Sequence, residues 1–205
     1  SMYIGYLQDV VNDIKINTNN IKNEWVNNRN EFVGSIDNTA TSSLNKLTND
    51  FIFYYEKGMR ANKIGIPVGI FSGSALPQNV ECYYYNLKTG NASKILLMEA
   101  FDAVEKIFNG ISFNDNIKGE GWGNYLLYLN ALSNGVDLDT DINETFSEAI
   151  EAIENLDDDL MNNIITDELQ VRVAYDKVQR GTVLLKTDML GYLNIDVDYL
   201  DADGD

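Results

Sequence analysis

Residues 4–25 read I-G-Y-L-Q-D-V-V-N-D-I-K-I-N-T-N-N-I-K-N-E-W, and within them Ile4, Leu7, Val11, Ile14, Thr18, Ile21 and Trp25 fall at alternating spacings of three and four. With polar residues between them, these positions form one stripe of a long amphipathic helix. Gly34-Ser35 breaks it. Ala40, Leu44, Leu47, Phe51, Tyr54 and Gly58 then predict a second helix running to about Arg60. So short a joint makes the two helices expected antiparallel neighbours.

The same period recurs downstream. Leu97, Phe101, Val104 and Phe108 mark a helix from Asn91 that Gly110 ends, and a short apolar helix is expected from about Trp122 to Leu132, closed by Asn134-Gly135. Asp141 and Glu144 read as a capping box for the next helix, with Phe146, Ile150, Ile153 and Leu156 turned inward. Asp157, Asp158 and Asp159 separate it from a last long helix striped by Ile164, Val171, Tyr175, Val178, Leu185 and Met189. Ile195, Val197 and Tyr199 alternate with Asp196 and Asp198 as a short strand does. Between the second and third helices, residues 61–90 lose helical periodicity and gather glycines, both prolines (Pro67 and Pro77) and Tyr83-Tyr84-Tyr85. The expected fold is all-α: one up-and-down helical bundle spanning 1–205, with a long irregular loop at 61–90 and a short extended C-terminal tail.

Composition limits the chemistry. The 205 residues contain no histidine, which excludes a histidine-ligated metal centre built from this chain alone. A formal charge of −17 repels phosphate backbones and anionic headgroups, so nucleic acid and membrane surfaces are not expected partners. Cys82 is the single cysteine, which precludes an intrachain disulfide. No apolar run approaches the roughly 18 residues of a spanning helix, so no transmembrane segment is expected. Ser1-Met2 reads as a cleavage scar, which makes a missing export signal uninformative.

Several patterns invite a chemical reading. Asp137, Asp139, Asp141 and Glu148 occupy positions one, three, five and twelve of a calcium loop, but position six is Ile142 where the turn needs glycine. The capping box accounts for Asp141 and Glu144 without an ion. Gly119, Gly121 and Gly123 flank Trp122, yet no strand precedes them, so they read as a loop and not a dinucleotide fingerprint. Cys82 has no imidazole to form a thiolate pair, and a serine–lysine arrangement of Ser72 with Lys63 rests on spacing alone. The sequons at Asn91 and Asn143 are short enough to arise by chance. At the C-terminus Asp201, Asp203 and Asp205 alternate as carboxylates that converge on a hard cation do, against the plain alternative of a frayed tail. The segment at 60–85 is the best functional candidate. It carries two of the few cations, Arg60 and Lys63, with Gly65, Gly69 and Gly73 permitting close backbone approach. A hydrophobic lid over the end of the bundle is the alternative.

Arg60–Gly73, R-A-N-K-I-G-I-P-V-G-I-F-S-G, followed by Val80-Glu81, and the ending from Val183, V-L-L-K-T-D-M-L-G-Y-L-N-I-D-V-D-Y-L-D-A-D-G-D, together resemble the imelysin-like family, which includes insulin-cleaving membrane protease and iron-regulated protein A. The resemblance covers nearly the whole chain. It implies a bacterial, extracytoplasmic protein, periplasmic or lipid-anchored at the outer membrane or cell surface, associated with iron uptake. Such proteins are built as two helical halves, and the family's Gly-x-His-x-x-Glu motif lies in the first. Its absence here implies that this chain is the C-terminal half, with the N-terminal domain as its first partner.

The resemblance places a ligand-binding or domain-interface role on Arg60, Lys63, Gly65, Pro67, Gly69, Ser72 and Glu81. It carries the ending onto Asp201, Asp203, Gly204 and Asp205, where it implies a segment that braces the loop or contacts the other half, beside the metal reading of the three aspartates. Cys82 departs from the small polar residue expected there. Implied ligands and partners are iron or another divalent cation, haem, and an iron-uptake membrane protein. The leading expectation is a binding module and not a catalyst. A metallopeptidase whose histidine site lies in the other half is the second, and a structural or interaction domain the third.

Overall fold

The computed structural model describes residues 2–81 and 92–199, with only the backbone of Met2. Cys82, the Tyr83–Tyr85 run, Asn91 and the Asp201–Asp205 cluster, with the cation reading attached to it, therefore lie outside the described residues. The chain divides into two compact units, Ser1–Lys46 and Leu47–Asp205.

In the first unit, helix α1 runs unbroken over Met2–Gly34. The periodicity predicted this helix, but nothing in its own unit covers the stripe: Ile4, Leu7, Val11, Ile14, Thr18, Ile21 and Trp25 are all exposed. After a bend at 35–42, Ser42 caps helix α2 (Ser43–Phe53), its hydroxyl accepting from the Asn45 amide at 3.3 Å.

The second unit is an all-α bundle, as the repeated 3.6-residue period led one to expect. One boundary differs from the sequence reading. The second helix does not stop at Arg60 but continues as a π-helix over Tyr54–Gly65, and the last long helix widens in the same way over Leu184–Met189. A π turn holds more residues than an α turn, so burial in the first stretch recurs at mixed spacings of four and five. Tyr55, Met59 and Ile64 form one row, with Glu56, Arg60 and Gly65 beside it, while the second stretch buries Leu184, Leu185 and Met189. A 3.6-residue template loses the pattern in the first stretch and reports loop after Arg60. The irregular segment accordingly starts at Ile66.

The inward face of α2 was also misread. Leu47 and Tyr54 are exposed, while Thr48, Asn49, Phe51, Ile52 and Tyr55 are buried. Thr48 and Asn49 are tolerated inside because each is bonded: the Trp122 indole donates to Thr48 Oγ1 at 3.1 Å, and Asn49 holds the C-terminal tail.

Helix α3 (Ala92–Phe108) buries Leu97, Phe101, Val104 and Phe108 as expected, and Gly110 turns the chain at φ +67°. Helix α4 covers only Trp122–Tyr128. Asn134-Gly135 does not close it. With φ of 50° and 86°, these residues make the tight turn of a hairpin, β1 (Leu132–Ser133) with β2 (Val136–Asp137).

Helix α5 (Leu138–Glu154) begins before Asp141, which lies inside the first turn and binds Arg180 at 2.6 Å, so the capping box is not formed. The final helical region is split at Asp167. Asp159 caps α6 (Leu160–Thr166) and Asp167 caps α7 (Glu168–Val183), accepting from Asn162 and Gln170 respectively. After the second π stretch and α8 (Leu190–Leu193), the described part of the tail, 194–199, contains no strand. Instead the Asn49 amide donates to Asp196 O at 3.1 Å and accepts from Asp198 N at 3.2 Å, standing in for a neighbouring backbone.

The core centres on Tyr55, whose ring lies 6.1 Å from Phe101 and 5.8 Å from Phe146, with Phe108 beyond at 5.6 Å from Phe146. The Tyr55 hydroxyl donates to Val178 O at 2.9 Å. Burial pushes this phenol well above the usual tyrosine range, an effect that the nearby Arg60 charge only partly offsets. The folded chain therefore keeps a proton that the unfolded chain releases above about pH 10, so stability should fall from there upward by about 1.4 kcal/mol per pH unit for this group. Urea midpoints between pH 9 and 11.5 check it. Tyr55→Phe should be less stable at neutral pH by about 1 kcal/mol, from the lost hydrogen bond, yet decline less steeply in alkali. Parallel slopes for the two proteins would contradict the assignment.

Candidate functional site

The described part of the segment singled out by sequence, 60–81, is a braced platform lying over α7. Its base is Arg60, about 2% exposed. Nη1 donates to the Tyr175 hydroxyl at 2.7 Å and also to Gln179 Oε1, while Nη2 stands 3.6 Å from Glu56 Oε1. Glu56, equally buried, accepts from Lys186 Nζ at 3.0 Å and from the Tyr199 hydroxyl at 3.0 Å. Two π-helical stretches and the tail thus meet in one buried polar network. The guanidinium carbon also sits 5.8 Å from the ring centres of both Phe71 and Tyr175.

Above this base, the backbone folds on itself. Ile70 N donates to Gly65 O at 2.9 Å, Gly73 N to Gly69 O at 3.0 Å, and Leu76 N to Pro67 O at 2.7 Å. Arg172 reaches up from α7 to Val68 O at 3.0 Å. Lys63 and Glu81 close the two ends of the segment with a 2.9 Å ion pair. The apex, Phe71–Ser74, is exposed.

Each residue expected at the site now has a place. Arg60 faces the core and not solvent. Lys63 and Glu81 meet each other. Gly65 lies where a Cβ would stand 2.8 Å from both the Phe71 and Tyr175 rings, so its role is close packing. Pro67 is buried in the turn. Ser72 is exposed and its hydroxyl bonds Ser74 O at 2.8 Å; it is not brought to Lys63, whose amine is held by Glu81, so the serine–lysine arrangement is not formed.

Gly69 is the position where glycine is demanded twice. Its φ is +80°, and a Cβ would fall 2.1 Å from Ser74 O. Gly69→Ala should cost about 2 kcal/mol or more. Gly73→Ala, with φ +74° but nothing within 4 Å, should cost only about 1 kcal/mol. Chemical denaturation of both variants checks the ordering, and equal losses would mean that the loop does not close as described.

Comparison with protein-family models, curated proteins and solved structures returns no match. The remaining candidates are therefore judged on geometry alone.

Asp139, Asp141 and Glu148 all lie along α5, so they form no calcium loop. Asp141 is taken by Arg180, and Glu148 by Lys177 at 2.8 Å. The Lys177 contact holds the Glu148 carboxyl below its usual range, whereas partial burial raises that of Asp139. Among the described residues no cluster of three or more acidic or thiol side chains is arranged to hold a metal. Gly110 and Gly121 mark a close backbone crossing, where a Cβ on Gly121 would meet Phe108 O at 2.3 Å, which explains the glycine-rich stretch around Trp122 without a nucleotide.

Sequence reasoning missed the other half of the platform. Glu56, Tyr175, Gln179, Lys186 and Tyr199 lie in segments that read as ordinary helix or tail. The one signal available was a glutamate four residues before Arg60 on a helix otherwise turned inward.

Proposed function

We propose that this chain is an imelysin-like, extracytoplasmic module associated with iron or haem uptake, and that it works by presenting the 63–81 platform to a ligand or protein partner. The reading rests on one observation above the others. A segment of irregular backbone is held rigidly by a buried arginine, an end-to-end ion pair and a contact from α7, and it leaves an aromatic and two serines exposed at its apex. Binding residues are commonly carried on loops that a rigid scaffold positions, and π-helical widenings recur at functional sites. The R-A-N-K-I-G-I-P-V-G sequence of that platform is also the stretch that carries the family resemblance.

Isothermal titration of the protein with ferric iron, ferrous iron and haem tests the reading. Binding of at least one, weakened when Phe71→Ala and Ser72→Ala are combined, is the expected result. Heat changes indistinguishable from buffer for all three between pH 5 and 8 would overturn it.

A further inference from the structure

We propose that α1 associates with α1 of a second copy of this chain as a parallel coiled coil. This inference stands apart from the platform and does not rest on its proposed role. The spacing of the stripe is 3.5 residues and not 3.6, and it does not slip along the helix. Ile4, Val11, Thr18, Trp25 and Phe32 occupy one heptad core position, and Leu7, Ile14, Ile21 and Asn28 the other. A sustained 3.5-residue repeat is the pattern that keeps one seam facing a supercoiled partner.

The helix also needs a partner for its own stability. It is 33 residues long, or about 50 Å, and contains eight asparagines, a residue of modest helix propensity. A helix of that composition, with its apolar face in water, is not sustained by local propensity. Within its unit only the far end is covered, where Phe32 lies beside Ser35, Thr41, Ser43 and Lys46.

The charges beside the seam select the occupant and its direction. Three of the four residues on one flank are basic: Lys15, Lys22 and Arg29 follow Gln8 at seven-residue intervals. The other flank carries Glu24 and Glu31 after Val10 and Asn17. In a parallel pair each flank meets the opposite flank of its neighbour five residues on, which sets Glu24 against Arg29 of the second copy, twice by symmetry. An antiparallel pair sets each flank against itself and brings Lys15, Lys22 and Arg29 together, which like-charge repulsion opposes. Thr18 and Asn28, polar residues inside the seam, penalise any shift of register that leaves them opposite apolar neighbours.

The test is sedimentation equilibrium on the 205-residue protein, together with directed crosslinking. The expected mass is twice the 23.1 kDa of the chain. Ile14→Asp combined with Ile21→Asp should raise the dissociation constant roughly 100-fold or more, because two apolar seam positions are lost. Both side chains are exposed, so the second unit should keep its near-ultraviolet circular dichroism. In a Cys82→Ser background, Leu7→Cys should oxidise to a covalent dimer, since only a parallel, in-register pair brings position 7 within disulfide range of itself. A monomer at 100 µM would overturn the proposal and leave α1 to another protein or to the second unit. So would a dimer indifferent to the aspartate pair, or one that Leu7→Cys fails to crosslink.

Discussion

Arg60→Ala is expected to lower folding stability by about 3–5 kcal/mol, the range seen when one member of a buried ion pair is removed. The guanidinium is held by Glu56, Tyr175 and Gln179 and lies beside the rings of Phe71 and Tyr175. Truncation leaves acceptors that were bonded inside the protein without their donor, and a gap beneath the platform. Arg60→Lys keeps the charge but not the planar fork, so it should lose an intermediate amount. Urea denaturation followed by far-ultraviolet circular dichroism gives both values. A loss under about 1 kcal/mol for the alanine variant would show that Arg60 faces solvent, and would return it to the list of candidate ligand contacts.

Phe146→Ala should be about as damaging, near 3–5 kcal/mol, through the transfer and cavity costs of a fully buried ring. Phe146 connects three elements: it contacts Tyr55 of the first π stretch and Phe108 of α3 from its place on α5. Its loss should therefore lower the transition of the whole second unit and not fray one helix. Leu169→Ala is the control. That side chain is 70% exposed, so the change should stay within about 0.5 kcal/mol. A Phe146→Ala effect no larger than that of the control would mean the aromatic centre is not where the unit is held together.

The two variants bracket what could be read in advance. Phe146 was legible because it lies on an ordinary α-helix, where burial recurs at 3.6 residues and the apolar residues announce the inward face. Arg60 was legible as unusual, a cation in an acidic chain, but its direction was not. Cations are ordinarily at the surface, and only the meeting of the first π stretch with α7 supplies the acceptors, Glu56, Tyr175 and Gln179, that bring one inside.

The same limit explains the other differences. Thr48 and Asn49 face inward because the Trp122 indole and the tail backbone are there to bond them, and both partners come from distant parts of the chain. Asp141 was read through its neighbour Glu144, three residues on, when its partner is Arg180, 39 residues away.

What followed from the chain of residues was local and periodic. The helical class, the long first helix, most of the buried apolar set of α3, α5 and α7, and the break at Asp157–Asp159 all depend on spacing along one segment, and spacing survives without a fold. The stripe at residues 4–25 belongs here too: its register was visible, and its exposure on α1 shows that such a pattern specifies a face without naming its partner. What required tertiary structure was every decision made between segments. The widening of two helices, the inward turn of Arg60, the clasp of Asn49 on the tail and the closure of Lys63 on Glu81 each depend on a polar group finding a partner far away in sequence. Apolar burial is non-directional and leaves a periodic trace, whereas a hydrogen bond or ion pair is specific to two atoms and leaves none.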